Sequence, residues 1–163
     1  MQQYREEENN MKKRILTAVL AAALVTGTCA ATVSAKEEKT YTIGICQLVQ
    51  HDALDAATKG FEDAITEKMG DSVKFDEQNA QGDSATCSTI INNFVSSNVD
   101  LILANATASL QAAAAGTSDI PILGTAVTEY GVALDLTDFD GTVGGNISGT
   151  SDLAPLDQQA AML

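Results

Sequence analysis

The chain has 163 residues, 45% of them hydrophobic and 4% aromatic, with 9 basic against 22 acidic side chains for a formal net charge of −13. That length suits one domain of ordinary size and excludes two large ones. The acid excess excludes nucleic-acid binding, which needs a basic footprint to meet the phosphates.

Residues 1–35 read as a leader and signal peptide rather than as part of a fold. Met11, Lys12, Lys13 and Arg14 form a basic start, residues 15–25 are apolar and alanine-rich, and Val33 and Ala35 supply the small side chains a signal peptidase requires. The apolar run is too short for a membrane span, which needs about 20 residues. Glu6, Glu7 and Glu8 sit badly in a basic leader, but their codons suit a purine-rich ribosome-binding sequence, so Met11 is the expected true start. Thr26, Gly27 and Thr28 match a lipid-attachment signal poorly, so cleavage after Ala35 is expected rather than an anchor at Cys29. Export to the periplasm or cell surface follows from this reading.

Beyond Ala35 there are five lysines and no arginine against 19 acids, a formal balance of −14. No guanidinium in that part can clamp a carboxylate or phosphate. An anionic group would have to be held by backbone N–H groups and hydroxyls. Cys46 lies in an apolar run and Cys87 in a predicted helix, with no metal-type spacing, and buried free thiols are expected over a disulfide.

Residues 41–48 predict a strand, and residues 53–69 an amphipathic helix with Leu54, Ala57, Phe61, Ala64 and Ile65 on one face. Residues 72–77 predict a more polar strand, placed at a sheet edge. Asp83 or Ser84 caps the next helix, whose apolar face is Cys87, Ile90, Ile91, Phe94 and Val95 and which Asn98 closes. Residues 99–104 form an uninterrupted apolar run, as in a buried parallel strand. A third helix over 107–115, stopped by Gly116, and a fourth strand over 120–124 complete a strictly alternating series. Such alternation predicts an α/β, doubly wound parallel sheet covered on both faces. The chain divides into a first α/β unit at 36–140, acidic and loop-like from Asp135, and a different part at 141–163, where a helix begun near Pro155 is left unfinished. A truncated sequence is therefore expected.

Ligands of doubly wound sheets bind at the carboxyl ends of the strands, here the loops at 47–52, 78–83, 105–109 and 125–130. The single His51 has no metal-ligand company and either lines a pocket or caps a helix. No nucleophile elbow, dinucleotide fingerprint or phosphate loop is present. No enzyme, metal or cofactor is expected. What recurs is a set of neutral polar side chains at the strand-to-helix junctions: Gln47, His51, Asn79, Gln81, Asn105, Thr107, Ser109, Thr125 and Thr128. Helix capping explains one such junction, and Thr107 would serve as a cap. Four on one sheet edge point to a polar binding face built on free helix N-termini. Asn105 with Thr107, and Asn146 with Ser148, match the glycosylation sequon by coincidence.

Five stretches carry a resemblance: residues 43–55 (GICQLVQHDALD at its centre), 79–83 (NAQGD), 100–107 (DLILANAT), 120–128 (IPILGTAVT) and 145–152 (GNISGTSD). In that order the chain resembles the substrate-binding proteins of ABC transporters with the type I periplasmic-binding-protein fold, in the branch associated with tryptophan, tyrosine and related aromatic amino acids. The resemblance implies two α/β lobes joined by crossing strands, with a small zwitterion trapped between them and delivered to membrane permease subunits. On it, this chain is the first lobe, one crossing strand and the start of a second lobe. It makes Gln47 and His51 candidates for the first loop of the cleft, Asn79 and Gln81 for the second, Thr107 and Ser109 for the third and Thr128 for the fourth. Ser151 and Asp152 belong to the second-lobe side, where an acid can pair with a ligand ammonium. Thr107, Ser109 and their helix start are the expected holders of the ligand carboxylate. Asp52, Ala108 and the pair Glu129 and Tyr130 depart from the prolines common in the family, which leaves the identity of the ligand open; Tyr130 either stacks on an aromatic ligand or packs the hinge. A ligand-sensing domain of a membrane receptor with the same fold is the alternative.

Overall fold

The computed structural model of the protein describes residues 39–154 and 160–162. The predicted leader, signal segment and Cys29, and most of the helix begun near Pro155, lie outside the described residues. The elements run β1 (Tyr41–Gln47), α1 (Asp52–Met69), a single 3-10 turn (Gly70–Ser72), β2 (Val73–Asn79), α2 (Ser84–Ser96), β3 (Leu101–Asn105), α3 (Thr107–Gly116), β4 (Ile122–Val127), α4 (Tyr130–Ala133) and β5 (Ile147–Ser151). The strands form one sheet in the order β2-β1-β3-β4-β5, and every pairing is parallel. The α/β, parallel, doubly wound expectation holds.

The period-two alternation of each strand assigns its two faces. Ile43, Ile45, Val73 and Leu103 point to one side, where Phe61, Ile65 and Met69 of α1 pack on them. Cys46, Ile102, Ala104 and Ile122 point to the other, against Cys87, Ile90, Ile91 and Phe94 of α2 and Leu110 and Ala113 of α3. Each fully buried Ile, Leu or Phe in these clusters contributes about 1.5–3 kcal/mol relative to an exposed one. Close approach needs a glycine at one place: a Cβ on Gly44 would stand 2.6 Å from the Phe94 ring, so the bare backbone of β1 is the surface on which α2 lies.

The structure departs from the sequence expectation in several places. In α1, Leu54, Ala57, Phe61 and Ile65 are half-buried, but Ala64 is exposed and Thr58 is buried at 3% exposure. The polar Thr58 can sit inside because its hydroxyl finds partners, described below. β4 starts two residues later than the sequence pattern predicts and reaches Val127 through an irregularity, with register shifting between Gly124 and Val127 and Ala126 at φ 52°. The short α4 was not predicted; Glu129 caps it, its carboxylate accepting from the amides of Gly131 and Val132. β5 pairs with β4, so the strand at 147–151 extends the same sheet.

Candidate functional site

The strand order changes direction between β1 and β3: the chain leaves β1 toward β2 on one side and returns to β3 on the other. Parallel sheets open a crevice at such a point, outside the carboxyl ends of the strands. The residues that end the two strands, Gln47 and Asn105, are register partners.

Beyond the last paired residues the loops remain tied by backbone hydrogen bonds. Ala80 N–H donates to Gln47 O at 2.9 Å, Leu48 N–H to Asn105 O at 3.1 Å, Ala106 N–H to Thr125 O at 3.0 Å and Asp152 N–H to Val127 O at 3.1 Å. The row runs from β2 to β5 and makes one continuous rim. His51, Gln81, Thr107, Thr128, Ser151 and Asp152 are exposed along it.

The rim has a polar floor. Gln47 is 2% exposed and Asn105 fully buried. Gln47 Nε2 donates to Val49 O at 3.0 Å and to Asp55 Oδ1 at 2.6 Å. Gln47 Oε1 accepts from Thr58 Oγ1 at 2.7 Å and from Asn105 Nδ2 at 3.3 Å. Asn105 Nδ2 also donates to Leu54 O and approaches Thr58 Oγ1, both at 2.9 Å. This network binds the start of α1 to the ends of β1 and β3. Its polar groups are satisfied inside the chain, apart from Asn105 Oδ1. The amide of Gln47 therefore has no donor or acceptor left for a ligand and fixes the first loop instead. The burial of Asn105 also puts its amide out of reach of glycosylation.

His51 is the N-cap of α1, its Nδ1 accepting from Ala53 N–H at 3.2 Å. Asn79 Oδ1 accepts from Gln81 N–H at 2.8 Å, which holds Gln81 at φ 57°. At the fourth junction Ser151 Oγ donates to Thr128 O at 2.7 Å, joining β5 to the end of β4. Tyr130 is 5% exposed. Its ring lies where a Cβ on Gly124 or Gly149 would be, and its hydroxyl donates to Thr150 O at 3.2 Å. Of the two roles open to Tyr130, the geometry gives packing beside β5. Burial first, and the Asp152 charge second, push its phenol above the usual value.

The third junction departs from expectation in two ways. Thr107 is not the cap of α3; Ala106 is, at φ 89° and ψ 161°, and no side chain caps this helix among the described residues. The first intrahelical donor is Leu110, to Ala106 O at 3.1 Å. The amides of Thr107, Ala108 and Ser109 thus precede the helical ladder, with the positive end of the helix dipole behind them. Ser109 also differs from its expected placement. Its side chain is fully buried, and its hydroxyl lies 3.6 Å from both Cys46 Sγ and Cys87 Sγ. Ser109 as a whole has no exposed surface, so at the junction Thr107, and in part Ala108, face outward.

No lysine or arginine occurs in these loops, and among the described residues no cluster of three or more His, Cys, Asp or Glu could hold a metal ion. The chemistry of the rim is that of neutral donors, one imidazole and the carboxylates of Asp52, Asp83, Glu129 and Asp152, of which Asp83 and Glu129 are engaged as helix caps. A cavity of about 520 Å³ lies beside β5, lined by Tyr130, Phe139, Val143 and Ile147 together with Glu129, Thr142, Ser148 and Ser151, so it adjoins the rim at Ser151. Its wall is mainly apolar.

Sequence reasoning missed Thr58 and Asp55. The signal was a threonine at the buried step between Leu54 and Phe61, in a stripe that is otherwise apolar.

Residues 42–163 match the family model described as ABC transporter substrate binding protein. The chain belongs to this family. Proteins of the ABC transporter substrate-binding family are extracytoplasmic, and among the described residues no helix is long and apolar enough to cross a membrane. Within the family, the chain is 48% identical over 124 residues to a tyrosine-binding protein of Clostridioides difficile, which covers 74% of this chain and 36% of that one. A ligand-free, open substrate-binding protein with adhesive properties from Clostridium difficile superposes with a TM-score of 0.70 at 43% identity, over 76% of this chain and 43% of that chain. A Streptococcus pneumoniae ABC domain in complex with L-Trp gives a TM-score of 0.69 at 32% identity, over 76% and 42%. The chain thus spans about a third of the length of the curated relative and under half of the solved structures.

Proposed function

We propose that this chain supplies one wall of the cleft in which an exported solute receptor captures an aromatic amino acid for an ABC importer. One observation carries the reading: the uncapped N-terminus of α3, with three amides outside its ladder, stands at the switch point of a parallel sheet whose rim holds no cationic side chain. In this role the amides of Thr107 and Ala108, with the Thr107 hydroxyl, bind the ligand carboxylate, and the buried Ser109 anchors the turn from the core side. Asp152 pairs with the ammonium, and His51, Asn79, Gln81, Thr128 and Ser151 border the side chain. Gln47 positions the first loop from below. The other wall and the surface that meets the permease come from the longer sequence that the relatives possess. The names of the tyrosine-binding relative and of the L-Trp complex support the aromatic class of ligand.

Calorimetric titration of the full-length protein tests this. Tyrosine or tryptophan is expected to bind, and tyramine or tryptamine, which lack the carboxylate, are not. Thr107→Pro is tolerated at a first helical position but removes one N–H and one hydroxyl, and is expected to weaken binding roughly 10- to 100-fold, as loss of a hydrogen bond to a charged group does. Unchanged affinity in Thr107→Pro together with binding of the amines would refute the assignment of the carboxylate. Asp152→Asn with unaltered affinity would remove the ammonium role.

A further inference from the structure

Two thiols meet in the core away from the rim. Cys46 is on β1 and Cys87 is in the first turns of α2; both are free and fully buried. Their sulfurs converge on a single oxygen, Ser109 Oγ on α3, each at 3.6 Å. The pair therefore joins three elements, and among the described residues it comprises the only free cysteines. Nothing in the ligand chemistry proposed above uses them.

We propose that Cys46 and Cys87 are a disulfide-forming pair that staples β1 to α2 as the protein folds outside the cytoplasm. The pair lies beneath the rim: Cys46 is next to Gln47, and Asp83, the N-cap of α2, ends the loop that carries Asn79 and Gln81. A bond there fixes the second loop against the first. Extracytoplasmic space is oxidising, and structural disulfides persist in it. The reaction is exchange with a small-molecule disulfide such as oxidised glutathione. One cysteine thiolate attacks its S–S bond and releases one glutathione thiol. The second cysteine thiolate then attacks the resulting mixed disulfide and releases the other, so that two cysteine thiols are oxidised and one disulfide is reduced to two thiols.

Timing follows from burial. In the folded reduced protein, desolvation pushes the Cys46 thiol up to about 12, with the neighbouring Cys87 thiol adding to the effect. A buried, protonated thiol does not attack disulfides. The bond forms before α2 closes over β1, and protein that folds reduced keeps its thiols.

The test is to refold the full-length chain from denaturant with and without oxidised glutathione, then to alkylate under denaturing conditions and map peptides by mass. With oxidant, a peptide linking Cys46 to Cys87 is expected, lighter by two hydrogens and unalkylated, and distinct from any product of Cys29. Already folded reduced protein given the same oxidant is expected to stay reduced. The oxidised form is expected to melt on the order of 10 °C higher, since the bond closes a loop of about 40 residues. In Cys46→Ser the oxidant should leave the midpoint unmoved. Complete alkylation or separate glutathione adducts at both cysteines of the oxidatively refolded wild type would overturn the proposal, as would a linked form that melts below the reduced one.

Discussion

Ala106 offers the sharpest test of the third junction. At φ 89° and ψ 161° it occupies a region open to glycine and closed to residues with a Cβ. Ordinary strain for such a position is about 1–3 kcal/mol. Ala106→Gly removes that strain but lets the unfolded chain explore more states, which costs about 0.4–1 kcal/mol. The balance is a stabilisation of about 0.5–2 kcal/mol, or roughly 2–8 °C in Tm for a domain of this size. Ala108→Gly, two residues on and inside the first turn of α3, should act the other way and cost about 0.5–1 kcal/mol. Thermal and urea denaturation followed by far-UV circular dichroism read both changes. If Ala106→Gly leaves the midpoint unchanged or lowers it while Ala108→Gly behaves as expected, Ala106 does not hold the strained conformation, and the orientation given to the three free amides is wrong.

Three further changes probe the frame around the site. Thr58→Val keeps the shape but deletes the hydroxyl shared by Gln47 and Asn105, and should cost about 1–3 kcal/mol in urea denaturation; Thr58→Ser should recover most of it, and a silent Thr58→Val would mean that the network is not formed. Gly44→Ala drives a methyl into the Phe94 ring, at an expected cost of about 1–3 kcal/mol, read as a lower urea midpoint with unchanged slope. Asp83 caps α2, and the Thr86 hydroxyl first, then the amides of Ala85 and Thr86, hold its carboxyl below the usual carboxylate value. A depressed folded-state pKa means that the stabilisation is present above the unfolded pKa and is lost as pH falls through the folded one. The gap in midpoint between wild type and Asp83→Ala should therefore be open at pH 7 and close below about pH 4; a gap independent of pH contradicts this cap.

The strands and helices were legible because their patterns are consistent from residue to residue. The unbroken apolar run at β3 signals burial on both faces, and the polar run at β2 signals an edge, which is where β2 lies. The polar rim was legible as a class of residue but not as a division of labour. Gln47 and His51 look alike in sequence as polar residues after β1, yet the alternation of the strand turns Gln47 inward to Thr58 and Asn105 while His51 stays exposed. Ser109 has the same ambiguity. It sits two residues after Thr107, a step that carries a helical side chain to the other side, and so its hydroxyl goes to the core. The convergence of Cys46 and Cys87 joins residues on different elements and depends on how far α2 slides along the sheet, which no local pattern encodes.

The strand order also dictates how the domain can assemble. β1 is made first, β2 adds to one of its edges, β3 to the other, β4 to β3 and β5 to β4. No strand has to be threaded between two that are already paired. A chain delivered from its N-terminus can therefore add each strand in turn to a completed edge. On this route the binding rim is laid down one junction at a time, and Ser151 and Asp152 arrive last.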